Sequence, residues 1–525
     1  MRSPIYLDYA ATTPVDPAVA QGMSGCLTVE GTFANPSSSH ALGRAAAARI
    51  ERARAQVAAL VGAQPEDIVF TSGATEANNL AVLGVARANA DRGRHVVTSR
   101  IEHKSVLDPC KRLEKEGFGV SYLSPDARGV IDPAAVREAL RPDTVLVSIM
   151  HVNNEIGVIE DVSEIGALCR ARGIAFHTDA AQSVGRLPID VRQIPVDLLS
   201  LTSHKIYGPK GVGALYVRRD ARALLKPILF GGGQEGGLRP GTLPVHQVVG
   251  FGLAAERAAL GLATESERIG ALRDRLWAGL EPLAGTWLNG AGAPRVPHIL
   301  NVSFAEIDGE SLVTALPSLA LSTGSACNSA SGDASYVLRA LGRGTRLAES
   351  SLRFSLGRYT TVEEIDWAVE AVCRQVRRLR GVSPGHATAA PLEAPEGASE
   401  RCGTDVERLF EALPGGGAFA AQAGAVLHGE AGGPDDDVWV RFHLLVEGDT
   451  VKAARFEARG CPHTLATAAW LTSQLAGRRR EDVLRCDPQA WARALKVPVE
   501  KLGRLLTIED ALRASLQSGP PLAHH

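Results

Sequence analysis

Between about residues 44 and 260 the chain alternates two hydrophobic rhythms. Stretches such as GRAAAARIERARAQVAALVG repeat apolar positions at helical spacing, and short β-branched runs interrupt them: DIVFTS, HVVTS, TVLVSIM, IAFHTD, LLSLTS and GALYV. Helical segments alternating with short apolar runs predict an α/β domain built on a mainly parallel sheet. In such sheets the chemistry gathers just past the strand ends. Polar segments lie where that rule needs them: TSGATE follows DIVF, EHKSV follows HVVTSR, HVNNEIG follows TVLVSIM, and DAAQS follows IAFHT.

From about 265 to 380 the pattern changes to a smaller α+β unit, with strand-like HILNVSF and SLRFSLG and the helical run EEIDWAVEAVCRQVRRLR. GVSPGHATAAPLEAPEGASE then loses all apolar period and has the composition of a flexible linker, so a boundary is expected over 381–403. Residues 404–525 hold strand-like DVWVRFHLLVE and TVKAARFEARG followed by the helical HTLATAAWLTSQLAG and VEKLGRLLTIEDALRASL, which predicts a second, small α+β domain.

Composition narrows the function classes. With 525 residues, 45% of them hydrophobic, the chain can bury more than one core. A formal charge of −2 and a pI near 6.7 give no global basic field, so neither nucleic acid nor an anionic membrane is an implied partner. The amino terminus has no signal-like apolar region and no apolar run is long enough to span a bilayer, so the expected location is the cytoplasm. Eight cysteines without a CxxC pair indicate neither a disulfide framework nor a zinc ribbon.

The candidate chemistry centres on Lys205 in LTSHKIYGPKGVG. A lysine amine can hold an aldehyde cofactor as a Schiff base, and Thr202, Ser203 and His204 beside it offer donors for a phosphate. Read alone, it is equally a surface lysine in a glycine-punctuated loop. Asp179, at a predicted strand end, could keep a pyridine nitrogen protonated, Gln182 could donate to a ring oxygen, and His103 could lie on the ring face. Each has an ordinary alternative: a helix N-cap, a solvated helix position and a loop residue. TSGATEANN has the form of strand, glycine turn and helix start, so Gly73, Ala74 and Thr75 could present N–H groups and a hydroxyl to a phosphate.

Taken in order, YLDYAATTPVDP, NPSSSHALGR, TSGATEANN, EHKSVL, MHVNNEIGVI, HTDAAQSVG, LTSHKIYGPKGVGALYVRR, GLRPGTLPVHQ, STGSACNSASGDASYVLRALG and SSLRFSLGRYT resemble the class I cysteine desulfurases over about residues 4–380. The resemblance implies the aspartate-aminotransferase type of fold, with a large domain at about 15–262 and a small one from about 1–14 and 263–380. It also implies a homodimer with pyridoxal 5'-phosphate held at the subunit interface. Lys205 would be the Schiff-base lysine, with Asp179 on the pyridine nitrogen, Gln182 on the phenolate oxygen, His103 stacked on the ring and Asn154 beside the cofactor and substrate. Ala74, Thr75, Thr202, Ser203 and His204 would hold the cofactor's phosphate end, Thr242 would complete it from the neighbouring subunit, and Arg353 would pair with the substrate carboxylate. One departure stands out: Thr202-Ser203 replaces the Ser-Gly that often precedes His-Lys.

Cys327 decides the reaction. Its segment, STGSACNSASGDASY, is dominated by Gly, Ser and Ala, so a mobile loop is expected, able to carry a thiolate to the substrate sulfur and then to an acceptor protein such as an iron–sulfur scaffold. The implied products are L-alanine and a Cys327 persulfide, with Lys205 and His103 moving protons. The cysteines at 26, 110, 169 and 373 are expected to pack. Two alternatives are a selenocysteine lyase or other lyase on the same fold, and an interaction platform in iron–sulfur assembly.

The carboxy-terminal segment resembles, more weakly, the scaffold on which iron–sulfur clusters are built. That family supplies three cysteines and an aspartate; here only Cys461 matches, the first position reads GGPDDDV and the third falls near Gly503 and Arg504. One thiolate cannot hold an ordinary cluster. A degenerate scaffold serving as a docking or regulatory module is therefore expected, with Asp435, Asp436, Asp437, His428 and His463 as candidates for an unusual metal site. Cys461, at a predicted helix start that would lower its pKa, is a candidate sulfur acceptor or residual ligand.

Overall fold

The computed structural model describes residues 4–323, 334–381, 405–419, 425–433, 438–483, 487–498 and 501–518. Cys327, nearly all of the expected linker and Asp435–Asp437 lie outside the described residues. The chain enters through a short strand, β1 (Ile5–Tyr6), and then builds a seven-stranded sheet. Its members are β2 (Ile68–Thr71), β3 (His95–Ser99), β4 (Gly119–Leu123), β5 (Thr144–Ser148), β6 (Ala175–Asp179), β7 (Leu198–Thr202) and β8 (Gly213–Val217). The spatial order is β2-β8-β7-β6-β5-β3-β4, parallel from β7 to β4, with β8 antiparallel to both of its neighbours.

Alternation along the strands explains why helices cover both faces. Phe70, Val97, Val147, Phe176, Leu199 and Tyr216 point to one side and pack with the helices Ala41–Leu60 and Val162–Ala171 and the start of Val245–Leu280. Val69, Val96, Leu146, Ala175, Leu198 and Leu215 point to the other and pack with Ala74–Ala88 and Lys104–Lys115. Strands buried on both faces read as continuous apolar runs, which made them visible in the sequence. Cys26, Cys110, Cys169 and Cys373 are buried free thiols, and burial raises the pKa of each.

A helix of 36 residues, Val245–Leu280, runs from the large sheet to a smaller one and passes through the expected boundary at 262. The smaller sheet contains β9 (Thr286–Leu288), β10 (Ile299–Phe304), β12 (Ser322–Thr323) and β13 (Ser351–Ser355) in the order β12-β13-β10-β9, all antiparallel. β11 (Leu319–Ala320) pairs with β1, which ties the amino-terminal segment beside this sheet.

The last unit is an antiparallel sheet of β14 (Val426–Ala431), β15 (Trp439–Glu447) and β16 (Thr450–Arg459), covered by the helices Pro462–Leu475 and Leu502–Gln517. It packs against the small sheet's unit: a single apolar core joins Leu312, Phe354 and Val376 to Phe410, Phe442 and Leu465. Ser311 Oγ donates to Gly460 O at 2.7 Å, Arg378 Nη1 donates to Phe410 O at 2.7 Å, and Glu310 pairs with Lys501.

Candidate functional site

The carboxyl ends of the parallel strands place the candidate residues. β6 ends on Asp179, β7 ends on Thr202 and turns through a 3-10 segment, Ser203–Lys205, and the chain after β2 turns at Gly73 into the helix Ala74–Ala88. Gly73 has φ 156° and ψ 177°, a conformation that a side chain resists, and a Cβ built there would lie 3.9 Å from Thr202 Oγ1. Thr202 Oγ1 is buried and unpaired. A helix amino terminus facing a vacant hydroxyl in a glycine cradle suits a phosphate. Glu76, in the same first turn, is committed elsewhere, since it accepts from Ser72 N at 2.7 Å and Arg239 Nε at 2.9 Å.

A buried relay links Asp179 to His103. Asn78 Nδ2 donates one hydrogen to Asp179 Oδ2 at 2.7 Å and the other to Ser105 Oγ at 2.8 Å. Because Ser105 Oγ accepts there, its own hydrogen turns to His103 Nδ1, 2.8 Å away, and Ser105 N donates to the same nitrogen at 3.2 Å. With Nδ1 accepting twice, the imidazole proton belongs on Nε2. Burial lowers the His103 pKa, against the raising effect of Asp179 and together with Lys205. The ring is therefore neutral near pH 7. Asn78 and Ser105 were missed in the sequence, although both lie inside quoted segments.

Lys205 is half-buried, and its carbonyl accepts from Arg186 Nη2 at 3.3 Å. His204 meets Thr12 Oγ1 through Nδ1 at 3.1 Å, and burial helped by Lys205 and Lys210 lowers its pKa to about 4. Ser203 is fully buried with an unpaired hydroxyl; a Cβ at Gly208 would fall 2.0 Å from it, so this side chain turns under the loop and away from the Gly73 cradle. Gln182 is buried and donates to Ala10 O at 2.9 Å, and His298 Nε2 lies 3.4 Å from its Oε1. Asn154 is buried with Oδ1 unpaired. Ala74 is half-buried and Thr75 exposed at the helix start, while Thr242 is exposed on the loop before Val245.

Arg353, on β13, is buried at 3% exposure. Nη1 donates to Asn154 O at 2.8 Å, and Nη2 donates to Asp8 Oδ1 at 2.9 Å and to Ser322 Oγ at 3.3 Å. Its Nε is buried without a partner. Next to Asn154, Glu155 is fully buried; burial raises its pKa to about 7 against the hydrogen bond from Ser335 Oγ, at 2.5 Å, and the charge of Arg353.

The polar groups gathered here test the fit of pyridoxal phosphate. Thr202 Oγ1 and the helix start address a phosphate, Asp179 a protonated ring nitrogen, Lys205 an aldehyde, and Asn154 Oδ1 and Arg353 Nε an amino acid. The donor set suits the cofactor and an amino-acid substrate together.

In the carboxy-terminal unit Cys461 is fully buried and caps Pro462–Leu475. Hydrogen bonds from His463 and Thr464 and the charge of Arg504 outweigh burial and lower its pKa to about 7. Arg504 also lies 3.8 Å from Glu310. His428 is engaged by His443, Nδ1 to Nδ1 at 2.8 Å, and His443 Nε2 lies 2.8 Å from Glu457. Among the described residues no group of three or more His, Cys, Asp or Glu side chains is arranged to hold a metal ion.

Residues 5–367 match the model of the aminotransferase class-V family, and residues 416–518 match that of the NifU-like N-terminal domain. Cysteine desulfurase IscS of Pectobacterium atrosepticum is 57% identical over 385 residues, which is 73% of this chain and 95% of that protein. Among solved structures, a NifS-like protein superposes with a TM-score of 0.65 at 36% identity, covering 70% of this chain and 98% of the other. SspA in complex with cysteine does so with a TM-score of 0.61 at 41% identity, covering 68% and 100%. The chain belongs to the class-V aminotransferase family, in its group of pyridoxal-phosphate-dependent cysteine desulfurases, and carries a NifU-like domain at its carboxy-terminal end.

Proposed function

We propose that the chain converts L-cysteine to L-alanine and carries the sulfur away as a persulfide on Cys327. The observation that carries this reading is the relay from Asp179 through Asn78 and Ser105 to a neutral His103, beside Lys205. When bound, pyridoxal phosphate supplies an aldehyde and an electron sink for charge developing at the substrate α-carbon. Asp179 holds the ring nitrogen, Thr202 and the Ala74–Ala88 helix start hold the phosphate, and Gln182 and Asn154 orient the ring and substrate. Arg353 binds the substrate carboxylate through a guanidinium fork. The Lys205 amine moves the α-proton, and His103 serves as a hydrogen-bond donor through its Nε2–H.

Cys327 then attacks the substrate sulfur as a thiolate; the S–S bond forms as the carbon–sulfur bond breaks, and a proton returns to the substrate carbon to give alanine. Lys205→Ala should abolish both the visible absorption of the bound cofactor and turnover. Cys327→Ser should keep the absorption and lose desulfuration; unchanged alanine formation would overturn the persulfide step.

The working form in this reading is a homodimer, supported by Thr242 lying exposed in the single chain and by Phe230, at 87% exposure, on the preceding loop. Light scattering of the purified protein tests it. Residues 1–380 form the catalytic unit and 404–525 a docked scaffold-like module that passes sulfur toward an acceptor protein. Arg504 beside Cys461 supports docking over cluster assembly, because the guanidinium stands where the scaffold family would supply a further ligand and has no lone pair to offer a metal. A cytoplasmic location completes the proposal, supported by free thiols at all five cysteines of the described residues, as a reducing compartment keeps them.

A further inference from the structure

The guanidinium assigned to the substrate carboxylate is already occupied by a carboxylate of the chain itself. Asp8 Oδ1 accepts from Arg353 Nη2 at 2.9 Å and from Ser322 Oγ at 2.8 Å. The fold builds this pair in. Leu7 N donates to Ala320 O at 2.8 Å, Ser355 N donates to Leu7 O at 2.7 Å, and Asp8 forms a parallel bridge to Ser355, two residues along the strand from Arg353. Tyr6, on the other side, donates its hydroxyl hydrogen to Thr12 O at 2.8 Å, which fixes the segment. Asp8 is thus delivered to Arg353 by backbone pairing and not by a wandering side chain.

The hydrogen count on Arg353 makes Asp8 a competitor. Nη1 gives one hydrogen to Asn154 O, both hydrogens of Nη2 are taken by Asp8 and Ser322, and Nε stands unpaired. A bidentate carboxylate needs two parallel N–H donors. On the Nε edge it can find the second only by displacing a partner of Nη2, and Asp8 is the charged one. Asp8 has somewhere to go, because its side chain is 20% exposed, against 3% for that of Arg353.

We propose that Asp8 is a built-in counter-ion that occupies Arg353 between turnovers, yields it to the substrate carboxylate and takes it back as L-alanine leaves. This rests on the reading of Arg353 as the carboxylate anchor. Asp8 acts through Arg353 as a positioning residue: it neutralises a buried cation in the empty site, at the cost of weaker binding of every α-carboxylate. Product release gains by the same amount, since alanine carries the same carboxylate as cysteine.

Asp8→Asn tests this, because Asn keeps an Oδ1 acceptor for Arg353 and Ser322 and removes only the charge. With cofactor-loaded protein, L-alanine is titrated against the visible spectrum of the site. Asp8→Asn should bind L-alanine about tenfold tighter, the scale of one charge-assisted hydrogen bond. KM for L-cysteine should fall in step, and kcat should fall where product release limits it. Cysteamine, which has no carboxylate, should bind both proteins equally. A role of Asp8 in merely holding Arg353 in place predicts the opposite sign, so unchanged or weaker alanine binding overturns the proposal, as does equal tightening of cysteamine. Arg353→Lys separates the two readings: if it leaves alanine affinity unchanged, Arg353 is not the anchor. If it weakens alanine and Asp8→Asn does not tighten it, the anchor stands and the counter-ion role fails.

Discussion

Asn78→Ala removes one amide that holds the side chains of Asp179 and Ser105. In the wild type its two hydrogens go to Asp179 Oδ2 at 2.7 Å and Ser105 Oγ at 2.8 Å, and Asn78 is wholly buried. A hydrogen bond to a charged acceptor contributes about 1.5–3 kcal/mol and a neutral one about 0.5–1.5 kcal/mol, so the substitution should destabilise the fold by roughly 2–4 kcal/mol. Function should suffer separately, because Ser105 loses the donor that turned its hydrogen toward His103 Nδ1. The imidazole then keeps only the Ser105 backbone N–H, 3.2 Å from Nδ1, to favour the tautomer with its proton on Nε2, and kcat should fall about 10–100-fold, equivalent to roughly 1.4–2.7 kcal/mol of barrier. Urea unfolding reads the first effect and alanine production from L-cysteine the second. Asn79→Ala is the control, since that neighbour only donates to Thr75 O at 2.9 Å within its own helix. If Asn78→Ala proves as stable and as active as Asn79→Ala, the relay has no role and the assignment of His103 falls with it.

Gly73→Ala should cut retention of the cofactor on dialysis at least tenfold, since a side chain there meets both a φ of 156° and the space beside Thr202 Oγ1; normal retention would mean the phosphate sits elsewhere. Burial raises the Glu160 pKa to about 8, so the folded chain keeps a proton that the unfolded chain releases from about pH 4.5 upward, and stability drains away as pH rises toward 8. Glu160→Gln keeps the acceptor for Ile131 N, 2.8 Å away, and should flatten that decline, which unfolding at pH 6 and 8 would detect. Finally, Glu310→Lys opposes Lys501 and Arg504 across the contact between the catalytic and scaffold-like units. After proteolytic cleavage between residues 381 and 405, the two halves should coelute for the wild type and separate for the variant.

The parallel core was legible because β2, β3, β5, β6, β7 and β8 are buried on both faces, and their polar followers marked the end of the sheet where the site forms. β4, GVSYL, escaped because it is the half-exposed edge strand with no run of buried apolar residues. β14, VLHGEA, escaped for a related reason: its glycine and charged positions hide a strand that only its partner β15 defines. The helix Val245–Leu280 belongs to two packing environments in turn, so no single hydrophobic face persists along it. Among the proposed site residues, Lys205, Asp179 and Arg353 stand out in the sequence by chemistry, whereas Asn78 and Ser105, which hydrogen-bond to others, look like any helix-start polar residue. A buried Asn one turn beyond a glycine-capped helix start was the available signal. Asp8 lies in YLDYAATTP, yet its role depends on a bridge to a residue 347 positions away, which no local pattern reveals.

The most direct test loads purified protein with L-cysteine in the absence of any acceptor and maps the added sulfur by mass spectrometry of the intact peptides, alongside a count of L-alanine. One sulfur atom on the Cys327 peptide for each alanine formed, and none in Cys327→Ser, is the predicted result. Alanine without that modification, or with the same yield from Cys327→Ser, would contradict the assignment of Cys327 as the residue that takes the sulfur.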